Sequence, residues 1–151
     1  MHDPEEIARA FLMESDVDYR VTQLLRGTEF HSRTIAFAQQ AVEKLVKACL
    51  ALRGVVTLDH NLSSLFRALY QADFPEMDEL VRHIDILERH GARPRFPLFQ
   101  RRDLPIWVPS RDYREEDALR ALQSADYVVQ RLRPHLDRIL ARLAEEGRTR
   151  S

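Results

Sequence analysis

Apolar residues recur along this chain at helical spacing. The clearest run is Ile35, Ala38, Val42, Leu45, Cys49 and Leu52, separated by 3, 4, 3, 4 and 3 positions. That rhythm keeps one stripe of a helix apolar over several turns. Phe37, Ala41 and Ala48 widen the stripe, so the spacing predicts a central, buried helix over about 30–53, ended by Gly54. A first helix is predicted over 5–26 on Ile7, Phe11, Val17, Val21 and Leu24. Pro4 suits its first position, Glu5 and Glu6 suit the positive end of its dipole, and Gly27 suits its end.

After a loop over 55–60, Asp59 or Asn61 is the candidate cap of a short third helix carrying Leu62, Leu65, Phe66 and Leu69. Phe74-Pro75 breaks it. A fourth helix follows over 76–89 with Met77, Leu80, Val81, Ile84 and Leu87. Residues 90–111 hold four of the seven prolines and predict an irregular loop, which Phe96, Phe99 and Trp107 are placed to pin. The last helix is predicted over 114–146. Its stripe of Ala118, Leu122, Ala125, Val129, Leu132, Leu136, Ile139 and Leu143 is crossed by Pro134, which predicts a kink or two helices end to end. Residues 147–151 read as a frayed tail. The fold class is thus all-α: an up-and-down bundle of about five helices, in one domain over 5–146, with a long Pro/Arg-rich loop before the last helix.

Composition narrows the chemistry. The 151 residues suit one domain. The single cysteine, Cys49, excludes an internal disulfide and lies on the apolar stripe as a small core residue. That cysteine usage and the acidic N-terminus make the cytoplasm the expected location, and no apolar run reaches the roughly 20 residues that a membrane span needs. The six histidines show no metal-ligand spacing, there is no phosphate-binding glycine loop, and neither a metal nor a cofactor is expected.

A net charge of −1 excludes a uniform nucleic-acid coat but hides local contrast. Lys44 and Lys47 are the only lysines, against 21 arginines. Residues 89–114 carry seven arginines against two aspartates, a local charge of +5, directly after an acidic stretch over 73–88. Arginine forks match phosphates, and aromatics supply stacking faces for bases. In the alternative, the two segments neutralise each other and Trp107 is buried.

The segment Phe37-Ala38-Gln39-Gln40-Ala41-Val42-Glu43-Lys44-Leu45-Val46-Lys47-Ala48 resembles the signature helix of the HEPN family (higher eukaryotes and prokaryotes nucleotide-binding domain). His60-Asn61-Leu62, Arg95-Phe96-Pro97 and Glu116-Asp117-Ala118 occupy the places of further family elements, and the likeness covers about residues 5–140. The resemblance implies a helical bundle that dimerises, handles nucleotides or RNA, and pairs with a minimal nucleotidyltransferase protein in a toxin–antitoxin arrangement. The residues themselves point to a phosphate-binding cleft with Lys44, Lys47, His60, Arg93 and Arg95 as candidate contacts; in the alternative, Glu43 pairs with the lysines on a solvated face, and the His60 ring bonds to backbone or to a carboxylate such as Glu43 and fixes its loop. Ribonuclease members carry an Arg followed after four to six residues by a His. Arg53 with His60 and Arg26 with His31 satisfy that spacing, and Arg131 with His135 falls one residue short. A metal-independent ribonuclease is therefore the first alternative, with Arg53, His60, Arg131 and His135 as candidates. A non-enzymatic interaction module is the second.

Overall fold

The computed structural model describes residues 2–150. It places six helices in chain order: α1 (Pro4–Leu25), α2 (His31–Leu52), α3 (Ser63–Tyr70), α4 (Met77–Glu88), α5 (Pro109–Asp112) and α6 (Glu115–Arg150). No strand occurs among the described residues, and the fold is all-α. The sixth helix is α5, a single turn at the end of the proline-rich loop.

The central position of α2 follows from its sequence. It buries Ile35, Ala38, Val42, Leu45 and Cys49 on one face and Ala41, Val46, Ala48, Leu50 and Ala51 around it. Small residues let α1 and α6 approach closely, and both pack against α2, as do α3 and α4. Leu132 and Leu136 of α6 and Leu80 and Ile84 of α4 complete the core. Gly54 ends α2 at φ +79°, a conformation that costs glycine little. Gly27 does the same after α1.

Some expectations need correction. The buried face of α1 is Ala8, Leu12, Ser15, Asp18 and Thr22, while Val17 and Leu24 are exposed. Polarity did not mark the outside here, because each buried polar group has a partner. The Ser15 hydroxyl donates to the Ala41 carbonyl at 2.6 Å, and Lys44 Nζ donates to Asp18 Oδ2 at 2.5 Å. Neither Asp59 nor Asn61 caps α3. Its N-cap is Leu62, whose amide donates to Glu88 Oε1 at 2.5 Å, so a carboxylate from α4 supplies the cap. Pro134 does not divide the last helix. It is exposed on α6, and the carbonyl of exposed Gln130 that it leaves without an amide faces water. Gly147 does not end the helix, which continues to Arg150 through residues expected to fray; Ser151 lies outside the described residues.

The proline-rich loop is pinned by one aromatic. Trp107 is half-buried, donates from Nε1 to the Arg93 carbonyl at 2.8 Å and meets the Tyr113 ring edge-on at 4.9 Å. Its backbone pairs with Leu98 in an isolated antiparallel bridge. Phe96 and Phe99 are exposed.

Candidate functional site

A cleft of about 310 Å³ opens between α2, the 53–62 connection and the end of α4. Gln39, Gln40 and Glu43 of α2 form one wall, His60 and Asn61 another, and Glu88 and Arg95 the third. Consecutive polar residues on an otherwise buried helix mark this wall, since α2 is covered on its remaining faces.

The polar groups of the cleft are linked. His60 Nδ1 donates to Glu43 Oε1 at 3.1 Å, and Lys47 Nζ lies 3.4 Å from Glu43 Oε2. Glu43 is thereby held between two basic groups, one exposed and one buried. Gln39 Nε2 donates to the Gly91 carbonyl at 3.1 Å, and its Oε1 is buried without a partner. Burial raises the Glu88 carboxyl above its ordinary range.

The five candidate phosphate contacts separate. His60 and Arg95 line the cleft together. Lys47 is 8% exposed and reaches the cleft only through Glu43, with Phe11 beneath its ammonium at 6.0 Å. Lys44 turns to Asp18 of α1. Arg93 stacks on Trp107 at 4.2 Å and lines a separate apolar hollow with Leu104, Ile106 and Arg111.

The arginine-rich loop and the acidic stretch before it do not neutralise one another. Arg101 pairs with Asp103 and Arg111 with Asp112, inside the loop. The acidic residues pair elsewhere, Asp78 with Arg67 and Glu79 with Arg82.

The Arg–His pairs found by spacing are also divided. Arg53 donates to the Leu69 carbonyl and to Asp73 Oδ2 at 2.9 Å, while His60 goes to Glu43. Arg131 lies over the Tyr127 ring at 3.4 Å, and Arg26 pairs with Asp126. The fold builds a pair that spacing missed: His135 Nε2 lies 3.3 Å from the same Asp73 Oδ2 that Arg53 holds. His135 is largely enclosed, its ring 4.8 Å from that of Phe74, and burial lowers its pKa. Arg53 and His135 stand 82 positions apart, and nothing in the sequence signals that they meet.

Another buried histidine escaped sequence reasoning. His83 Nε2 lies 3.2 Å from Arg82 Nη2, which can only donate, and 3.7 Å from Glu79 Oε2; the shorter contact and the burial that lowers its pKa favour a neutral imidazole protonated on Nδ1. Nδ1 then donates to Ser124 Oγ at 2.9 Å. Among the described residues no cluster of His, Cys, Asp and Glu suits a metal ion, and no helix is long and apolar enough to cross a membrane.

An all-α bundle whose central helix carries a polar cleft defines the structural class. A family model described as the HEPN domain matches residues 7–135, and the chain belongs to that family. A Methanocaldococcus jannaschii protein named "Putative toxin" is 30% identical to it over 135 residues, covering 85% of this chain and 88% of that protein. No solved structure gives a significant match.

Proposed function

We propose that this chain is a toxin-like HEPN protein that binds a nucleotide or RNA phosphate at the α2 cleft and works with a minimal nucleotidyltransferase partner as one half of a toxin–antitoxin pair. The observation that carries the reading is the meeting of His60 and Arg95 in one cleft beside the family's signature helix. The toxin name of the M. jannaschii relative supports the pairing. Arg95 supplies the charge, with its guanidinium resting 5.6 Å from the Phe96 ring, whose exposed face can stack on a base. Arg93, stacked on Trp107 outside the cleft, reaches the same phosphate only by leaving that ring. Lys44 and Lys47 reach a phosphate only by giving up Asp18 and Glu43; in this reading Lys47 tunes the cleft wall through Glu43, and Lys44 ties α2 to α1. The protein acts as a cytoplasmic homodimer, for which exposed Met13, Val17 and Leu24 on α1 provide apolar surface.

Differential scanning fluorimetry tests the binding. Millimolar nucleotide raises the melting midpoint of the parent by mass action and does so less for Arg95→Ala. An indifferent midpoint overturns the reading. Co-expression with the product of the adjacent gene tests the pairing, and the expected partner is a nucleotidyltransferase that co-purifies.

One observation favours the ribonuclease alternative: Arg53 and His135 meet on Asp73. Catalysis there requires His135 Nε2, which is closed to solvent, to become exposed.

A further inference from the structure

The floor and the rim of the α2 cleft have opposite hydrogen-bonding character. Gln39 is more than nine-tenths buried, and its amide orientation is fixed because the Gly91 carbonyl only accepts. Its Oε1 is an acceptor with no donor, closed to solvent beneath the cleft lining, so a ligand reaches it only after a small side-chain shift. Such an orphan costs free energy and calls for an explanation. Glu88 adds a second acceptor. Its carboxylate takes the Leu62 amide at 2.5 Å and is also approached by the Ser63 amide, and among the described residues no cation pairs with it. Glu43 differs, being already held by Lys47 and His60. Donors stand elsewhere on the lining, at Arg95 and His60.

A complementary molecule has paired N–H donors at one end and an anion at the other. A guanine base offers N1–H and its 2-amino group side by side on one edge, a pair that fits a carboxylate as an arginine fork does. Adenine presents one amino donor next to the N1 acceptor, which a carboxylate repels. Hypoxanthine keeps N1–H and lacks the amino group.

We propose that the α2 cleft binds a guanine nucleotide, with the base edge on Glu88 beside Gln39 and the phosphate toward Arg95. This rests on the reading that the cleft takes a nucleotide. An arginine side chain carries the same paired donors, but it lacks the anionic end that Arg95 and His60 would meet.

Isothermal titration of the intact protein with GMP, IMP, AMP, guanosine and agmatine tests the assignment. GMP is expected to bind on the order of tenfold more tightly than IMP, the loss of one hydrogen bond to a charged group, and more tightly again than AMP. Glu88→Gln retains an oxygen for the Leu62 amide and turns an N–H₂ donor toward the base, so the GMP-to-AMP preference falls or reverses. Equal binding of GMP, IMP and AMP overturns the guanine assignment and leaves the nucleotide reading standing. Absence of binding by every nucleotide overturns both. Guanosine binding as tightly as GMP supports the base contact and removes the phosphate role of Arg95. Agmatine binding more tightly than GMP reassigns the cleft to a guanidinium group and overturns the proposal. The comparison among nucleotides on the parent protein decides the matter even if Glu88→Gln fails to fold.

Discussion

Lys44 Nζ donates to Asp18 Oδ2 at 2.5 Å, joining the middle of α2 to the middle of α1 across 26 residues of sequence. The aspartate side chain is 12% exposed and the lysine 27%, so the pair is largely shielded from water and from salt. Removing one partner strands the other charge. Lys44→Ala is expected to destabilise the fold by about 3 kcal/mol, measured by urea denaturation. The Asp18→Asn/Lys44→Met double variant should recover part of that loss. If Lys44→Ala folds as stably as the parent but loses nucleotide affinity, the lysine belongs to the ligand and the ion-pair role is wrong.

Three buried histidines set a pH dependence. Burial holds the imidazoles of His83, His90 and His135 below their ordinary 6.5. The unfolded chain therefore takes up protons that the folded chain resists, and stability falls as pH drops through 6.5 toward the lowered values. The melting midpoint is expected to be lower at about pH 5.5 than at about pH 7.5. His83→Gln should flatten that slope. A midpoint that rises on acidification within this range contradicts the assignment. Glu88 works in the opposite sense, since its raised carboxyl favours the fold at lower pH, and Glu88→Gln should steepen the loss.

The contact of His135 with Asp73 is structural in the nucleotide-binding reading. Purified His60→Ala and His135→Ala proteins are then expected to leave labelled RNA as intact as the parent does. His135→Ala should also lower stability by about 1–3 kcal/mol, because Asp73 loses a neighbour and a ring leaves its place beside Phe74. RNA cleavage by the parent that disappears in His135→Ala at unchanged stability would establish the ribonuclease instead.

Arg95 is the arginine of the cleft, and among the described residues no carboxylate pairs with it. Arg95→Ala is expected to weaken nucleotide binding about tenfold, leave the melting midpoint of the free protein within a degree or so, and reduce the salt dependence of binding. Titrations at two ionic strengths decide it. An unchanged salt slope in the variant would place the phosphate elsewhere.

The core itself is tested at Ile35, which is fully buried on α2. Ile35→Ala should cost about 2–5 kcal/mol by the same denaturation measurement. A much smaller cost would mean that the site collapses around the gap.

The sequence by itself determined the helices, the central place of α2 and the family. Those features are local: a stripe at 3 and 4 spacing, Gly54 after it, and the run Gln39-Gln40 with Glu43, Lys44 and Lys47 lie within a few turns of one helix. Periodicity failed on α1, where Ser15, Asp18 and Thr22 are buried while Val17 and Leu24 face water. Ser15 and Asp18 enter the core because partners on α2 satisfy them, partners invisible from their own segment, and Thr22 because its hydroxyl donates back to the Asp18 carbonyl of α1. The same limit applied to the site. Spacing along the chain joined Arg53 to His60 and Arg131 to His135, whereas folding joined Arg53 to His135 through Asp73 and, of the two roles open to His60, chose the contact with Glu43. It also decided that Lys44 and Lys47 are paired, that Arg93 leaves the cleft, and that Glu88 lines it beside Gln39. Hydrogen bonds and ion pairs depend on distances of about 3 Å between groups far apart in sequence, and only the packing of the helices sets those distances.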